Sequence, residues 1–453
     1  MPEGEQPRRR SRPGDAISNP ILPAPGAQRE PSGFPLIDHS RISEPLIRSR
    51  SGAMIAALAF STLATGLLQI CLPLELRQLR ASPESIGLTL SMFGLGMFAF
   101  EWLWGVVADR VGYRIPLIAS QLLYAAFIVL LSQAGSVLLI AASYFLASGM
   151  MVAVGPIARS YLGTALHARL RATGLALLAS QWVMAQALGA GAGGALIDRF
   201  PIHPVILAGA LLPVISAILV GVVFRKYTLV DHRRRVDSDL EADRDGAARG
   251  QTVIRILAIT ATLALLIQIG LGGELALLPL LVTNQLHLSA AAAGTAMLAV
   301  GLIAGVLLVP GGHAADRWGR QPAMIAGGIL TAAGYIAYAL AGNLVVVIAG
   351  AAARAAGAAL IWPAATAWIA ESMPRRRHAF YMGLFGEFEN IGVTVGPIIG
   401  GLVWAAAGIS AAFYAYAIAA VIAAAVAALT VGPRRTSTMH PADALVQDLE
   451  SRR

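Results

Sequence analysis

Residues 115 to 132 contain no charged side chain, and the run is one of twelve comparably apolar stretches along the chain. About 18 or more such residues, at about 1.5 Å each along a helix, cross the hydrocarbon of a bilayer. In hydrocarbon every backbone N–H and C=O must be satisfied internally, which leaves helices as the way for runs of this length to fold. The twelve stretches lie near 53–74, 85–107, 115–134, 136–158, 172–196, 202–224, 256–280, 289–310, 322–341, 343–370, 379–404 and 409–431. The chain therefore reads as an all-α membrane protein, a bundle of twelve transmembrane helices. Composition agrees: 13% of the 453 residues are charged, against roughly 25% in soluble chains, and the mean hydropathy is +0.67.

The net charge of +9 would suit a nucleic-acid binder. The distribution of the basic residues argues against it: they sit in short loops and tails, and no basic helix face or nucleic-acid motif is present. A single cysteine, Cys71, allows no intramolecular disulfide. No metal, cofactor or catalytic constellation is expected, and no G-x-x-x-x-G-K-[ST] loop is present for an ATP-driven pump.

The segments fall into two sets of six. The expected organisation is a disordered N-terminal tail over 1–52, a first half over 53–224, a polar central loop over 225–255, a second half over 256–431 and a tail over 432–453. The first 50 residues hold nine prolines and eight arginines and no hydrophobic period, a composition that cannot bury a core. No secretory signal is expected, because the first apolar run follows this long basic segment. With the N-terminus inside, 30 of the 34 Lys and Arg fall on the cytoplasmic side and three on the other. Positive residues stay inside, so both termini are expected in the cytoplasm and the protein in the plasma (inner) membrane.

An internal repeat relates the halves. The loop after segment 2 reads Gly105-Val-Val-Ala-Asp109-Arg110-Val-Gly112-Tyr-Arg114, and the loop after segment 8 reads Gly312-His-Ala-Ala-Asp316-Arg317-Trp-Gly319-Arg320. The offset is about 207 residues by this alignment. It recurs between Gly87 and Gly94 in segment 2 and Gly294 and Gly301 in segment 8. It recurs again between Gly189, Gly193 and Gly194 in segment 5 and Gly396, Gly400 and Gly401 in segment 11. Six helices per half give both halves one orientation, so an axis along the membrane normal relates them.

These loops resemble the signature G-x-x-x-D-R-x-G-R-R/K of the major facilitator superfamily, with Tyr113 as the departure. The resemblance covers residues 53 to 431 and implies a transporter working by alternating access. It implies further that Asp109 and the nearby Arg110 and Arg114 form a cytoplasmic latch. Asp109 would cap segment 11 and Asp316 would cap segment 5, with Arg317 and Arg320 as further latch residues. A carboxylate suits a helix N-terminus, which carries roughly half a positive charge. Gly392, Gly396, Pro397, Gly400 and Gly401 in segment 11 resemble the glycine-proline motif that drug/proton antiporters carry in helix 5. Here segment 5 itself has Ala185 and Ala190 where Gly and Pro belong. Small residues at this spacing also serve ordinary helix packing.

Ionisable residues inside a bilayer are costly and are functional candidates. Arg354 lies near the middle of segment 10, and Glu387 and Glu389 lie at similar depth in segment 11. Two residues apart on a helix is about 200°, so the two carboxylates face different ways. One of them is expected to meet Arg354, either as a coupling site or as a permanent ion pair. Glu389 shares a face with Gly392, and Glu387 shares one with Asn390. A carboxylate sequestered from water can take up a proton in one state and release it in another. Glu101 reads as part of the latch, Glu274 as solvated or part of an outer gate, and Arg159 as snorkelling to the interface. Gln69, Tyr144, Trp182, Trp362 and Trp368 are candidates for a substrate pocket, the aromatics equally for packing.

The leading expectation is proton-coupled efflux of a small lipophilic or drug-like molecule by a monomeric antiporter in the lipid bilayer. Uptake of a metabolite by symport or uniport is the alternative, and a non-transporting receptor on the same fold is the reading from a different class.

Overall fold

The computed structural model describes residues 50–166, 168–224, 250–372 and 378–430. The expected tails and central loop lie outside these residues, apart from edges that belong to helices. All twelve expected helices are present: α1 Ser51–Gln78, α2 Pro83–Val111, α3 Arg114–Ser132, α4 Val137–Gly163, α5 Thr173–Ile197, α6 Ile202–Val223, α7 Arg255–Gln285, α8 Ala290–Trp318, α9 Arg320–Ala339, α10 Leu344–Ile369, α11 Met382–Ala407 and α12 Ile409–Thr430. No strand occurs among the described residues.

The helix ends follow from the sequence. Ser82, Ser136 and Ser289 cap α2, α4 and α8, each accepting from the backbone N–H three residues on at 3.2–3.3 Å, the usual work of an N-cap serine. Gly112 and Gly319, the last glycines of the two repeated loops, end α2 and α8 at φ 80° and 97°. Each N–H closes the preceding turn, on Ala108 and Ala315 respectively. A positive φ explains glycine in the motif at these two places.

Several helix ends differ from expectation: α8 runs to Trp318 rather than 310, α7 to Gln285 rather than 280, and α1 and α2 each run four residues further, to Gln78 and Val111. α4 does not stop near 158 but runs on to Gly163, broken at Val152–Ala153. Pro156 falls in the first turn of the resumed helix, where proline is tolerated because no N–H bond is due there.

Pseudo-symmetry is visible in the packing. α1 packs on α5 as α7 packs on α11, α2 on α4 as α8 on α10, and α3 on α6 as α9 on α12. Two seams join the halves, α2 with α11 and α8 with α5. A Cβ on Gly87 would overlap the Pro397 carbonyl, and one on Gly194 would overlap the Ala290 carbonyl. The repeat partners Gly401 and Gly294 sit directly opposite them. Small residues let these helices touch backbone to backbone. The remaining glycines of the segment 5 and 11 motif pack within each half: Gly189 on Leu63, Gly396 on Ile269, Gly392 on Gln268, and Gly400 under the Tyr416 ring.

This tight packing lies on the side away from the two Asp-Arg loops. On the loop side a Cβ at Gly105, Gly163, Gly383 or Gly386 would meet nothing within 4 Å. The backbone-to-backbone contacts of Gly87 and Gly194 thus join the halves on the side away from the loops. Gly105, unlike Gly112, makes neither a turn nor a close approach: it lies within α2, where a Cβ would meet nothing within 4 Å.

Candidate functional site

Between the two halves, a chain of polar bonds crosses the α2–α11 seam. Arg159 on α4 donates from Nη2 to Glu101 Oε1 on α2 at 2.5 Å. Asn390 on α11 donates from Nδ2 to the other Glu101 oxygen at 2.8 Å. Glu101 therefore holds one partner in its own half and one in the other. The charge-assisted character of both bonds makes them stronger than neutral ones. Glu387 lies one turn earlier on α11, beside Glu101 and Asn390, with Oε2 buried and unpartnered. Glu389 points elsewhere, as the helical spacing requires. Its Oε1 accepts from Gln268 on α7 and from the indole of Trp362 on α10, both at 2.9 Å.

The seam thus carries three carboxylates near one arginine. The other seam at the same height is neutral. The repeat partners of Glu101, Arg159, Glu387, Glu389 and Asn390 are Leu308, Thr366, Ser180, Trp182 and Val183. The space between the halves has one charged wall and one largely apolar wall. Trp182, a sequence candidate, belongs to the apolar wall and is half-buried against the core that runs through both halves.

Arg354 does not meet Glu387 or Glu389. Its Nε lies 2.7 Å from Glu274 Oε2 on α7. The Tyr338 hydroxyl on α9 donates to Glu274 Oε1 at 2.8 Å. Both charged side chains are under 10% exposed. The cause is local. Gly334 on α9 lets that helix approach until Arg354 Cβ fills the place of its missing side chain. This turns the guanidinium into the interior of the second half. Depth along a helix set Arg354 level with the α11 carboxylates, but α10 packs chiefly on α8 and α9. Glu274, expected to be solvated or part of an outer gate, is buried instead. Arg159, expected to snorkel, is bonded to Glu101, and Glu101 belongs to the seam junction rather than to the loops.

In this conformation Asp316 pairs with Arg320 of its own loop at 2.5 Å across one helical turn. Asp109, Arg110, Arg114 and Arg317 are exposed, and Gly312 makes only ordinary contact with Pro363. The aromatic candidates divide. Tyr144 stacks on Phe93 with ring centroids 5.6 Å apart, Trp362 holds Glu389, and Trp368 packs in the second half's core. Gln69 is buried in α1.

Two features had escaped the sequence reading. Asp198, just past α5, accepts from the backbone N–H groups of Ala290 and Ala291 at 3.0 and 3.1 Å, stapling the first half to the start of α8. His203 lies 3.0 Å from Glu75 through Nε2 and 2.7 Å from the Ser132 carbonyl through Nδ1, tying α6 to α1 and α3. Asp198 was detectable: its repeat partner is Ala405, so the two seams cannot be closed alike.

The family model described as Major Facilitator Superfamily matches residues 54–273 and 260–447. A putative uncharacterized MFS-type transporter of Mycobacterium tuberculosis is 36% identical over 115 residues, an aligned stretch that spans 27% of the relative and 24% of this chain. Among solved structures, a bacterial homologue of the human lysosomal transporter Spinster, in an inward-facing and occupied conformation, superposes with a TM-score of 0.68 at 14% identity, covering 85% of this chain and 97% of that one. The nucleoside transporter NupG gives 0.68 at 14% identity, over 84% and 99% of the two chains. The human organic anion transporter MFSD10 gives 0.60 at 16%, again over 84% and 99%. At these identities the likeness is one of fold. Twelve membrane-length helices, the repeated Asp-Arg loops and the family match over both halves together make this chain a member of the Major Facilitator Superfamily, a multi-pass membrane transporter and not an enzyme.

Proposed function

We propose that the protein is a proton-coupled exporter of small amphiphilic molecules, in the manner of the drug/proton antiporters. The observation that carries this reading is the one-sided placement of Glu101, Glu387 and Arg159 at the α2–α11 seam, with Glu389 on the adjoining face of α11 held by α7 and α10, while the equivalent positions of the other seam are uncharged. The apolar wall suits a lipophilic body. The surplus of carboxylates over arginine suits a proton or a cationic group, since ionisable groups at this depth are retained for function. The basic-residue count puts the termini and both Asp-Arg loops in the cytoplasm. The conformation described is then open inward. In the outward-open state Asp109 and Asp316 cap α11 and α5 as the latch.

Reconstituted protein tests this. In liposomes with an acidic lumen, molecules inserted with their termini outward should accumulate a lipophilic cation such as ethidium, and should not do so without the gradient. Glu387→Gln and Glu389→Gln are expected to reduce gradient-driven accumulation by about tenfold or more, the scale of one lost acid–base group. Retention of full gradient dependence by both variants removes them as coupling sites. Accumulation only when the outside is acidic would favour the second reading, uptake by symport, which the degraded glycine motif of α5 supports.

A further inference from the structure

Beyond the charged junction, toward the side away from the Asp-Arg loops, a cavity of about 20 Å³ lies between the halves. It is large enough for one water or one terminal polar group. Its walls come from α1, α2, α4, α7 and α11, with Gln69, Phe93, Tyr144, Gly272, Leu275 and Pro397 among them. No charged residue lines it.

Gln69 is the anomaly here. It is 4% exposed, and its side-chain Nε2 is buried without a hydrogen-bond partner. An unsatisfied buried amide is destabilising and calls for a reason. Packing does not supply one. The repeat partner of Gln69 is Ala276, which faces the same cavity from α7. The second half builds the same helix contact with a methyl group. The polar atoms of Gln69 are therefore surplus to the fold, and they stand in an apolar and aromatic pocket. Ligand sites have this character: apolar walls with very few placed polar groups.

We propose that Gln69, backed by the stacked Phe93–Tyr144 pair, forms a subsite for an uncharged hydrogen-bonding end of the transported molecule, a ketone, amide or hydroxyl on an apolar frame. The amide offers both a donor and an acceptor, so either kind of group is accommodated, whereas a charged group would meet no counter-charge there. The subsite deepens the transport reading of the same central space. It makes Gln69 a specificity-determining residue, distinct from the proton-linked carboxylates on α11.

The test uses the full chain in detergent or nanodiscs, with no gradient, and matched ligand pairs: benzophenone against diphenylmethane, 1-naphthol against naphthalene, and benzanilide against stilbene. Affinities come from thermal-shift titration. Wild-type protein is expected to prefer the polar member of at least one pair by about tenfold, the worth of one good hydrogen bond. Gln69→Leu, and Gln69→Ala as the copy of the second half, should both fold, Gln69→Leu with a melting temperature no lower than wild type because the unpartnered amide is gone, and both should lose that preference. A preference retained in both variants, or no preference in any pair for wild type, overturns the assignment. Binding is measured without protons moving. Loss of proton coupling in the liposome assay would leave this result untouched, so the two readings fail separately.

Discussion

Leucine in place of Glu274 should lower the stability of the purified protein by about 3–5 kcal/mol, the cost of leaving one member of a buried ion pair alone. Arg354 would keep its charge with no anion in reach, and the Tyr338 hydroxyl would lose its acceptor. The triple variant Glu274→Leu, Arg354→Met and Tyr338→Phe should recover most of that loss. Replacing a whole buried ion pair by apolar groups of similar volume is often neutral or stabilising. The protein contains its own control for this. At the matching positions of the first half, on α1, α4 and α3, stand Leu67, Ala147 and Leu131, all within the buried core. The fold thus fills the equivalent positions without charge. Melting temperatures of wild type, single and triple variants at one scan rate give the comparison. If the triple variant is as unstable as the single one, the pair is a structural requirement. Recovered stability with lost transport would mark it as a functional group placed in one half alone.

The fold was legible because membrane helices write themselves in length and polarity, and because a repeat of about 207 residues survives in glycines and Asp-Arg loops. Six of those glycines, Gly87, Gly94, Gly194, Gly294, Gly301 and Gly401, proved to be where the halves touch. What could not be read was which side chains meet. Position along a helix gives depth, and depth put Arg354 level with Glu387 and Glu389. Neighbourhood depends on which helices adjoin and on rotation about each axis, and Gly334 decided the rotation in favour of Glu274. Arg159 and Glu101 show the same limit. Each sits near a helix end, where snorkelling or loop chemistry is the usual expectation, yet the fold brings them together and joins them to Asn390 across the halves. Comparing each ionisable residue with its repeat partner is the sequence signal that was within reach. It singles out Glu101, Arg159, Glu274, Arg354, Glu387, Glu389 and Asp198 among others, none of which has a charged counterpart.

Asp198→Ala should move the protein toward the state open on the side away from the Asp-Arg loops. The carboxylate holds the first two amides of α8, and Ser289 holds the third. Loss of such a cap is worth about 1 kcal/mol, close to a fivefold change in the ratio of two states. The staple forms only while the ends of α5 and α8 stay together. It therefore favours the closed seam and nothing else. A cysteine at Ala190, buried in that seam, in a Cys71→Ala background, reports opening through its rate of labelling by a water-soluble maleimide. The rate should rise about fivefold with Asp198→Ala, in proportion to the open population. Asp109→Asn should act in the opposite sense. If Asp109 caps α11 when the loop side is shut, its loss disfavours that state, and labelling at Ala190 should slow. With the proposed Asp109 latch, each device would place a carboxylate on a helix N-terminus of the other half, one at each end of the bundle, and the transport equilibrium would lie between them. Equal labelling in wild type and Asp198→Ala would show that the glycine-lined seams alone hold this side closed.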